Sequence, residues 1–235
     1  MKVSTSTDRI SLAAFTASLT LTGLLFTSQV LAEMTADKDA SVRHSTATIK
    51  GVSHIGLSVA DMDAMLDFYQ RATSFPLIER KTISDNDALN QLFGAQDVIL
   101  EIAVLQAPNM WLELMAFARN KGKSTANMPF NGPGMTHTCY QSPGSDPAYN
   151  KFKTAGADIL SRGDSAVDIG GYGVTYAYGY DPEGNMFEME QLSNEVLKRA
   201  GYDPQYSQQP HDMWMSQVAI ASPDIDNIMT FYQTV

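Results

Sequence analysis

Across residues 53–59 of the sequence, apolar and polar side chains alternate with the period of a half-buried strand. His54 interrupts this otherwise apolar stretch, GVSHIGLSVADM. Asp61 then stands as an N-cap before a helix whose Met62, Met65, Leu66 and Tyr69 share one face. Two apolar runs follow, residues 98–105 (VILEIAVL) and 110–117 (MWLELMAF), joined by Gln106-Ala107-Pro108-Asn109, a hairpin signal. The pattern from Ile49 to about Arg119 therefore predicts a strand, a helix and then several strands.

The same order begins again at residues 134–140 (GMTHTCY), a strand with His137 early in it. Residues 146–155 (DPAYNKFKTA) predict a helix with Pro147 in its first turn and Tyr149, Phe152 and Ala155 toward the core, ended by Gly156. Strands at 159–160, 173–180 (GVTYAYGY) and 186–192 (MFEMEQL) complete the unit, the last two joined by the tight reversal Asp181-Pro182-Glu183-Gly184-Asn185. Two copies of one small module are expected, over 49–130 and 131–193. After a short helix and polar linker at 194–210, a third copy starts: residues 215–225 (MSQVAIASPDI) line up with 52–62, and Phe231-Tyr232-Gln233 repeats Phe68-Tyr69-Gln70. A strand and helix without a sheet of their own expose an apolar face. Residues 211–235 are thus expected to continue in missing C-terminal modules or to dock on another chain.

Residues 1–32 follow another logic. Lys2 and Arg9 flank a polar start, residues 10–26 are uncharged and mostly apolar, and Val30-Leu31-Ala32 suits cleavage after Ala32. This predicts a signal peptide and a periplasmic or secreted protein, with 33–48 as a flexible leader and no stable membrane insertion after cleavage. The apolar run sits at the short edge of the ~17–25 residues that span a bilayer.

Composition narrows the function. A chain of 235 residues with 44% hydrophobic side chains has ample material for a core, and a net charge of −10 removes the basic stripe that nucleic acid needs. Cys139 is the single cysteine, so the exported domain stands without an intrachain disulfide. Each module supplies one histidine on its first strand and one glutamate on its last: His54 with Glu113, and His137 with Glu188. Either glutamate alone could point to water, and either histidine alone could be structural. All four at matching places form a standard donor set for a divalent transition metal, whose charge offsets the cost of burying two carboxylates.

The stretches SHIGLSVADMDAMLDFYQ, MWLELMAF, MTHTCYQS, FKTAGADIL and YDPEGNMFEMEQ resemble the vicinal oxygen chelate superfamily, the glyoxalase, extradiol dioxygenase and bleomycin-resistance group. The resemblance implies an α+β fold in which paired βαβββ modules form a cup-shaped mixed sheet around a metal. The alternating order His, Glu, His, Glu is that of glyoxalase I. It implies a metal centre at His54, Glu113, His137 and Glu188, loaded with Ni, Co, Zn, Mn or Fe. By the same resemblance a lyase or isomerase would use Glu188 as base, with Glu113 as partner, on a small substrate with vicinal oxygens, through a metal-stabilised enediolate. Trp111, Phe117, Cys139, Tyr176 and Tyr178 are candidate pocket residues. The modules could join within one chain or across a homodimer.

Departures from bacterial glyoxalase I fall at Ser58, Phe117 and Asp168, where that pattern has an arginine, an asparagine and a lysine. Each removes a donor that glutathione would use. An extradiol dioxygenase could take His54, His137 and Glu188 as its triad, but Glu113 would crowd the sites of catechol and dioxygen, and the third repeat has Gln217 in place of a histidine. A non-catalytic binding module is the remaining alternative.

Overall fold

The computed structural model describes residues 51–119, 126–163, 165–171, 173–200 and 213–234. The signal peptide and leader expected over 1–48 lie outside the described residues, as does most of the linker at 201–212.

Strand β1 (His54–Val59) leads into helix α1 (Met62–Thr73), which Asp61 caps by accepting the Ala64 N–H at 3.0 Å. Met62, Met65, Leu66 and Tyr69 are all buried, as their spacing requires. Strands β2 (Leu77–Ile83), β3 (Leu100–Gln106) and β4 (Trp111–Phe117) complete a sheet of order β1-β4-β3-β2, with β1 and β4 parallel. Helix α2 (Asp87–Phe93), which the apolar pattern did not predict, interrupts the β2 to β3 connection. Its Leu89 packs with Val98 and Leu100 in a small separate core.

The second module repeats this plan. Strand β5 (Gly134–Pro143), helix α3 (Ala148–Ala155), the short β6 (Asp158–Ile159) and β7 (Val167–Asp168), then β8 (Val174–Tyr180) and β9 (Met186–Leu192) follow in turn, with β5 and β9 parallel. Pro147 is the N-cap of α3 and makes no side-chain cap bond, so the helix starts at Ala148, two residues later than the expected start at Asp146. Helix α4 (Asn194–Ala200) follows, then β10 (Trp214–Ala221) and α5 (Ile225–Thr234).

Helices α1 and α3 pack on each other, so the two modules share one core. The Phe68 and Phe152 rings meet edge-on at 6.2 Å between centroids, and Phe152 stacks on Phe187 at 4.5 Å. Arg71 donates from Nη1 to the Thr154 carbonyl at 3.2 Å and from Nη2 to that of Ala155 at 2.9 Å, closing the C-terminal end of α3.

The DPEGN turn locks the same junction. Glu183 accepts the Ala60 and Asp61 N–H groups, each at 2.6 Å, just before the first turn of α1. Asp181 accepts the Tyr69 hydroxyl at 2.8 Å and the N–H groups of Glu183 and Asn185 at 2.9 Å. Gly184 has φ of +83°, and a Cβ there would lie 2.8 Å from Ala126 Cβ, so the turn requires glycine.

The two modules keep separate sheets. Among the described residues no strand ladder links the two sheets, and β10 takes the outer edge of β5, giving the order β10-β5-β9-β8-β6. The reason is local. Helix α4 packs on β9, and Leu197 and Trp214 share a buried cluster with Val174 and Leu192, so the third repeat's strand arrives beside an edge that its backbone groups can pair. The third repeat thus docks on its own chain. None of α5 is buried, and its Ile225, Met229, Phe231 and Tyr232 are exposed.

Tyr69→Phe leaves the buried Asp181 carboxylate short of a donor across the module junction. It should cost about 1–3 kcal/mol, read as a lower urea midpoint at unchanged slope. An unchanged midpoint would contradict the clamp.

Candidate metal centre

Parallel neighbours position the histidines and glutamates. On β1 and β4, Gly56 is level with Glu113 and His54 lies two residues earlier; on β5 and β9, Cys139 is level with Glu188 and His137 lies two earlier. Residues two apart on a strand share a face, so each imidazole leans across one ladder toward its carboxylate. His54 Nε2 stands 3.8 Å from Glu113 Oε2, and His137 Nε2 stands 3.3 Å from Glu188 Oε2. The repeat extends to the other ring nitrogen. Ser53 Oγ is 2.9 Å from His54 Nδ1, and Thr136 Oγ1 is 3.0 Å from His137 Nδ1. A partner on Nδ1 orients a metal-ligating imidazole and leaves Nε2 to the metal.

The two pairs differ in burial. Side-chain exposure is 48% and 24% for His54 and Glu113 but 10% and 5% for His137 and Glu188, so the second pair is the dry one. Their neighbours on the opposite strand faces, such as Ile55, Leu112, Tyr140 and Phe187, fill the shared core. Both pairs therefore stand on sheet faces turned away from that core. The structure brings His54 to Glu113 and His137 to Glu188, and it does not gather all four. Among the described residues, the donor atoms that lie within 4.8 Å of one another are those of Cys139, Glu188 and Glu190.

Of the expected pocket residues, three stand with the second pair. Tyr176 is level with Glu190 and Tyr178 with Glu188, and the Tyr178 ring meets His137 edge-on at 5.2 Å. Cys139 is fully buried on the same face of β5 as His137. Trp111 and Phe117 belong to the first sheet. Trp111 Nε1 donates to Gln106 Oε1 at 2.7 Å, while Phe117 meets Phe93 of α2 edge-on at 5.2 Å and packs against the small core there.

Glu190 escaped the sequence reading, and Gln217 entered it only as the residue in place of a histidine. Glu190 sits two residues past Glu188, so period-two alternation alone puts it on the same face, and it accepts a hydrogen bond from Gln141. Gln217 of β10 is level with Cys139 and donates from Nε2 to Glu188 Oε2 at 3.3 Å. Asn109, in the β3–β4 turn, holds the same strand by donating from Nδ2 to the Met215 carbonyl at 2.5 Å.

The charges are tuned apart. Burial pushes the Glu188 carboxyl up, but His137, Tyr178 and Cys139 outweigh it, and the net direction is below the ordinary carboxylate value. Burial also pushes Glu190 up; the charge of Glu188 adds to it, and the Gln141 bond does not reverse it. Burial drives the Cys139 thiol well above its usual range, and the Tyr178 hydroxyl likewise. The two neighbouring carboxyl groups are thus shifted in opposite directions.

Paired modules of strands and helices, each with a histidine and a glutamate across its parallel strands, define a small α+β protein. The model of the Glyoxalase/Bleomycin resistance protein/Dioxygenase superfamily matches residues 51–189, more than half of the chain, and the protein belongs to that superfamily. A glyoxalase family protein from Bacillus cereus is similar in structure at a TM-score of 0.55 and 16% identity, covering 63% of this chain and 97% of its own. The fosfomycin resistance protein FosX from Listeria monocytogenes, solved with Mn(II) and 1S,2S-dihydroxypropylphosphonic acid, is similar at a TM-score of 0.44 and 19% identity, covering 65% and 99%. FosX from Mesorhizobium loti gives 0.43 and 16%, covering 66% and 99%. No curated protein matches.

The raised Glu190 predicts a pH-dependent stability difference in chelator-treated protein. Its favourable contribution is complete below the ordinary value of 4.5 and is lost as pH rises through the folded value. Glu190→Gln should therefore raise the thermal midpoint at pH 7 and have almost no effect near pH 4. A lower midpoint at pH 7 would contradict the assigned direction.

Proposed function

We propose that the protein is an exported, metal-dependent enzyme of this superfamily that acts as a glyoxalase-like lyase or isomerase on a small substrate with vicinal oxygens. The observation that carries the reading is the repeated geometry: in both modules a hydroxyl-oriented histidine leans on the glutamate two register positions away. The donor set fits a divalent transition ion. His137 Nε2 is buried without a hydrogen bond, beside a nearly buried carboxylate. Such an ion would supply Lewis acidity toward two adjacent substrate oxygens.

The chain's own residues supply the rest. Glu188 is held ionised in a dry setting, where a carboxylate can take a proton from one carbon and return it to the next. Tyr178 fixes the His137 ring from its edge, and Gln217 restrains one Glu188 oxygen. Glu113 and His54 form the more open pair, supplied to the same centre where another copy of the chain or further modules bring it across. Glutathione is an unfavoured substrate, because the positions that would hold it are otherwise engaged. Phe117 is packed against Phe93, and Asp168 Oδ1 accepts the Gly170 and Gly171 N–H groups at 3.1 and 2.7 Å. Export rests on the pattern of residues 1–32, and a mature protein recovered from periplasm or medium should begin at Glu33.

Turnover of hemithioacetals and related 2-hydroxycarbonyl compounds tests the reading. Glu188→Gln should lower kcat by about 10²–10⁴ with KM little changed. Oxygen uptake with catechols and none of this turnover would move the protein to the dioxygenases, and inactivity toward both would favour a binding module.

A further inference from the structure

The third repeat shows how two first strands meet. Residues 215–225 line up with 52–62, and His137 repeats His54, so β1, β5 and β10 are three versions of one strand. In the ladder between β10 and β5, Val218 is level with Thr138, and both stand where β1 has Ile55. The pairs on either side mirror each other. Gln217 is level with Cys139 and Ala219 with His137, which in the numbers of β1 is 54 with 56 and 56 with 54. Further out, Met215 is level with Tyr140 and Ile220 with Met135, or 52 with 57 and 57 with 52. The two register shifts correspond as well, since they skip Ser216 and Thr136, both in the place of Ser53. The ladder therefore has a local two-fold axis, although its strands come from different repeats. Two identical strands can make a contact of that symmetry.

Strand β1 keeps the same edge open. It pairs only with β4, and Ser53 gives its carbonyl to the Trp111 N–H at 3.0 Å, so by alternation residues 54, 56 and 58 turn their backbone groups away from β4. Among the described residues no strand meets those groups. Other edges are guarded: β2 carries Glu79, Arg80 and Lys81, and β6 has two residues, both ways of discouraging further pairing. β1 (HIGLSV) has no Asp, Glu, Lys, Arg or Pro. β10 is uncharged too, but its outer edge is the one on which β1 and β5 carry β4 and β9, so it suits a parallel last strand and not a first strand.

We propose that β1 is a dimer interface, pairing antiparallel with β1 of a second copy in the register that β10 and β5 show. The two-fold axis passes between the two Ile55 residues. His54 then lies level with the partner's Gly56, and Val52, which is 62% exposed, with the partner's Leu57, which is only partly buried in one chain. Like residues face one side on both strands, so the buried Ile55 and Val59 continue a single core face across the axis. Thr136 Oγ1 donates to the Ala219 carbonyl at 3.3 Å across the existing ladder, and Ser53 in the same place reaches the partner's Gly56 carbonyl. As Gln217 reaches Glu188, the partner's His54 reaches Glu113. The inference goes beyond the proposed function and stands without it. This dimer brings open pair to open pair and leaves the dry pair with its own chain, so any joining of open and dry pairs falls to further modules.

Sedimentation of the full chain over a wide concentration range, with chelator present, tests it. A reversible dimer is expected. Val52→Lys sets a charge against the partner's Leu57, and Ser58→Pro removes an outward N–H without touching the β4 ladder. Each change enters twice across the axis, so each should weaken the dimer about 10–100-fold with far-ultraviolet circular dichroism unchanged. Met229→Lys, on exposed α5, should leave the dimer intact. The register is read from Ile55→Cys in a Cys139→Ser background. Mild oxidation should cross-link the two copies there, because level residues that exchange no hydrogen bonds stand about 4.5 Å apart at Cα, while Val59→Cys in the same background should stay uncross-linked. A monomer throughout, a dimer left at full strength by both Val52→Lys and Ser58→Pro, a dimer lost only in Met229→Lys, or no cross-link at position 55 overturns the proposal. Hemithioacetal turnover by a monomer sinks this interface alone, and a dimer without turnover sinks only the catalytic reading.

Discussion

The bonds that converge on Asp181 and Glu183 hold the rest of the structure in place. A carboxylate in the last turn of the second module takes the hydroxyl of Tyr69, and its neighbour caps the backbone entering α1. All three bonds cross from one module to the other, and the buried Tyr69 and Asp181 have no water to replace what the partner provides. The DPEGN turn, the most recognisable piece of the sequence, is thus a fastening between modules and lies apart from the His/Glu pairs. Its glycine is required by close backbone approach, and its asparagine returns a side-chain bond to Asp181 at 2.9 Å.

That fastening decides where the chemistry can be. With α1 and α3 packed together, the helix-facing side of each sheet is committed to the shared core, and the His/Glu pairs occupy the opposite faces. One pair is half open to water and the other is dry. The dry pair carries the neighbours that perturb its charges, and β10 closes its edge by laying Gln217 on Glu188. Repetition has therefore produced two unequal half-sites, of which the second is furnished for more than its duplicate.

Much of this was legible in residue pattern. The alternation of β1, the buried face of α1, the Asp61 cap and the Gly156 stop follow from local rules and recur in the structure. The spacing of histidine and glutamate within each module is likewise a matter of strand register. Strand β2 (LIERKTI) was harder, because an exposed edge strand whose Arg80 pairs with Glu101 and Asp63 carries little apolar periodicity. Short α2 has only Leu89 buried, too little for a periodic signal. Which strand pairs with the edge of β5 is a long-range choice between two near-copies, β1 and β10, and local pattern cannot make it. Glu190 could have been found from alternation along MFEMEQL; what hid it was that its counterpart in the first module is Met115.

The central claim is that two modules share one core through this fastening and so unfold as one unit. The chain's two tryptophans report on it separately, since Trp111 lies on the first sheet and Trp214 on the strand added to the second. Urea unfolding followed by fluorescence in Trp214→Phe, which reports the first module, and in Trp111→Phe, which reports the second, measures each half. The account predicts that the two curves, each corrected for its variant's own stability shift by circular dichroism, show one transition coincident with loss of secondary structure. Two separated transitions, with one module still folded after the other has opened, would contradict it.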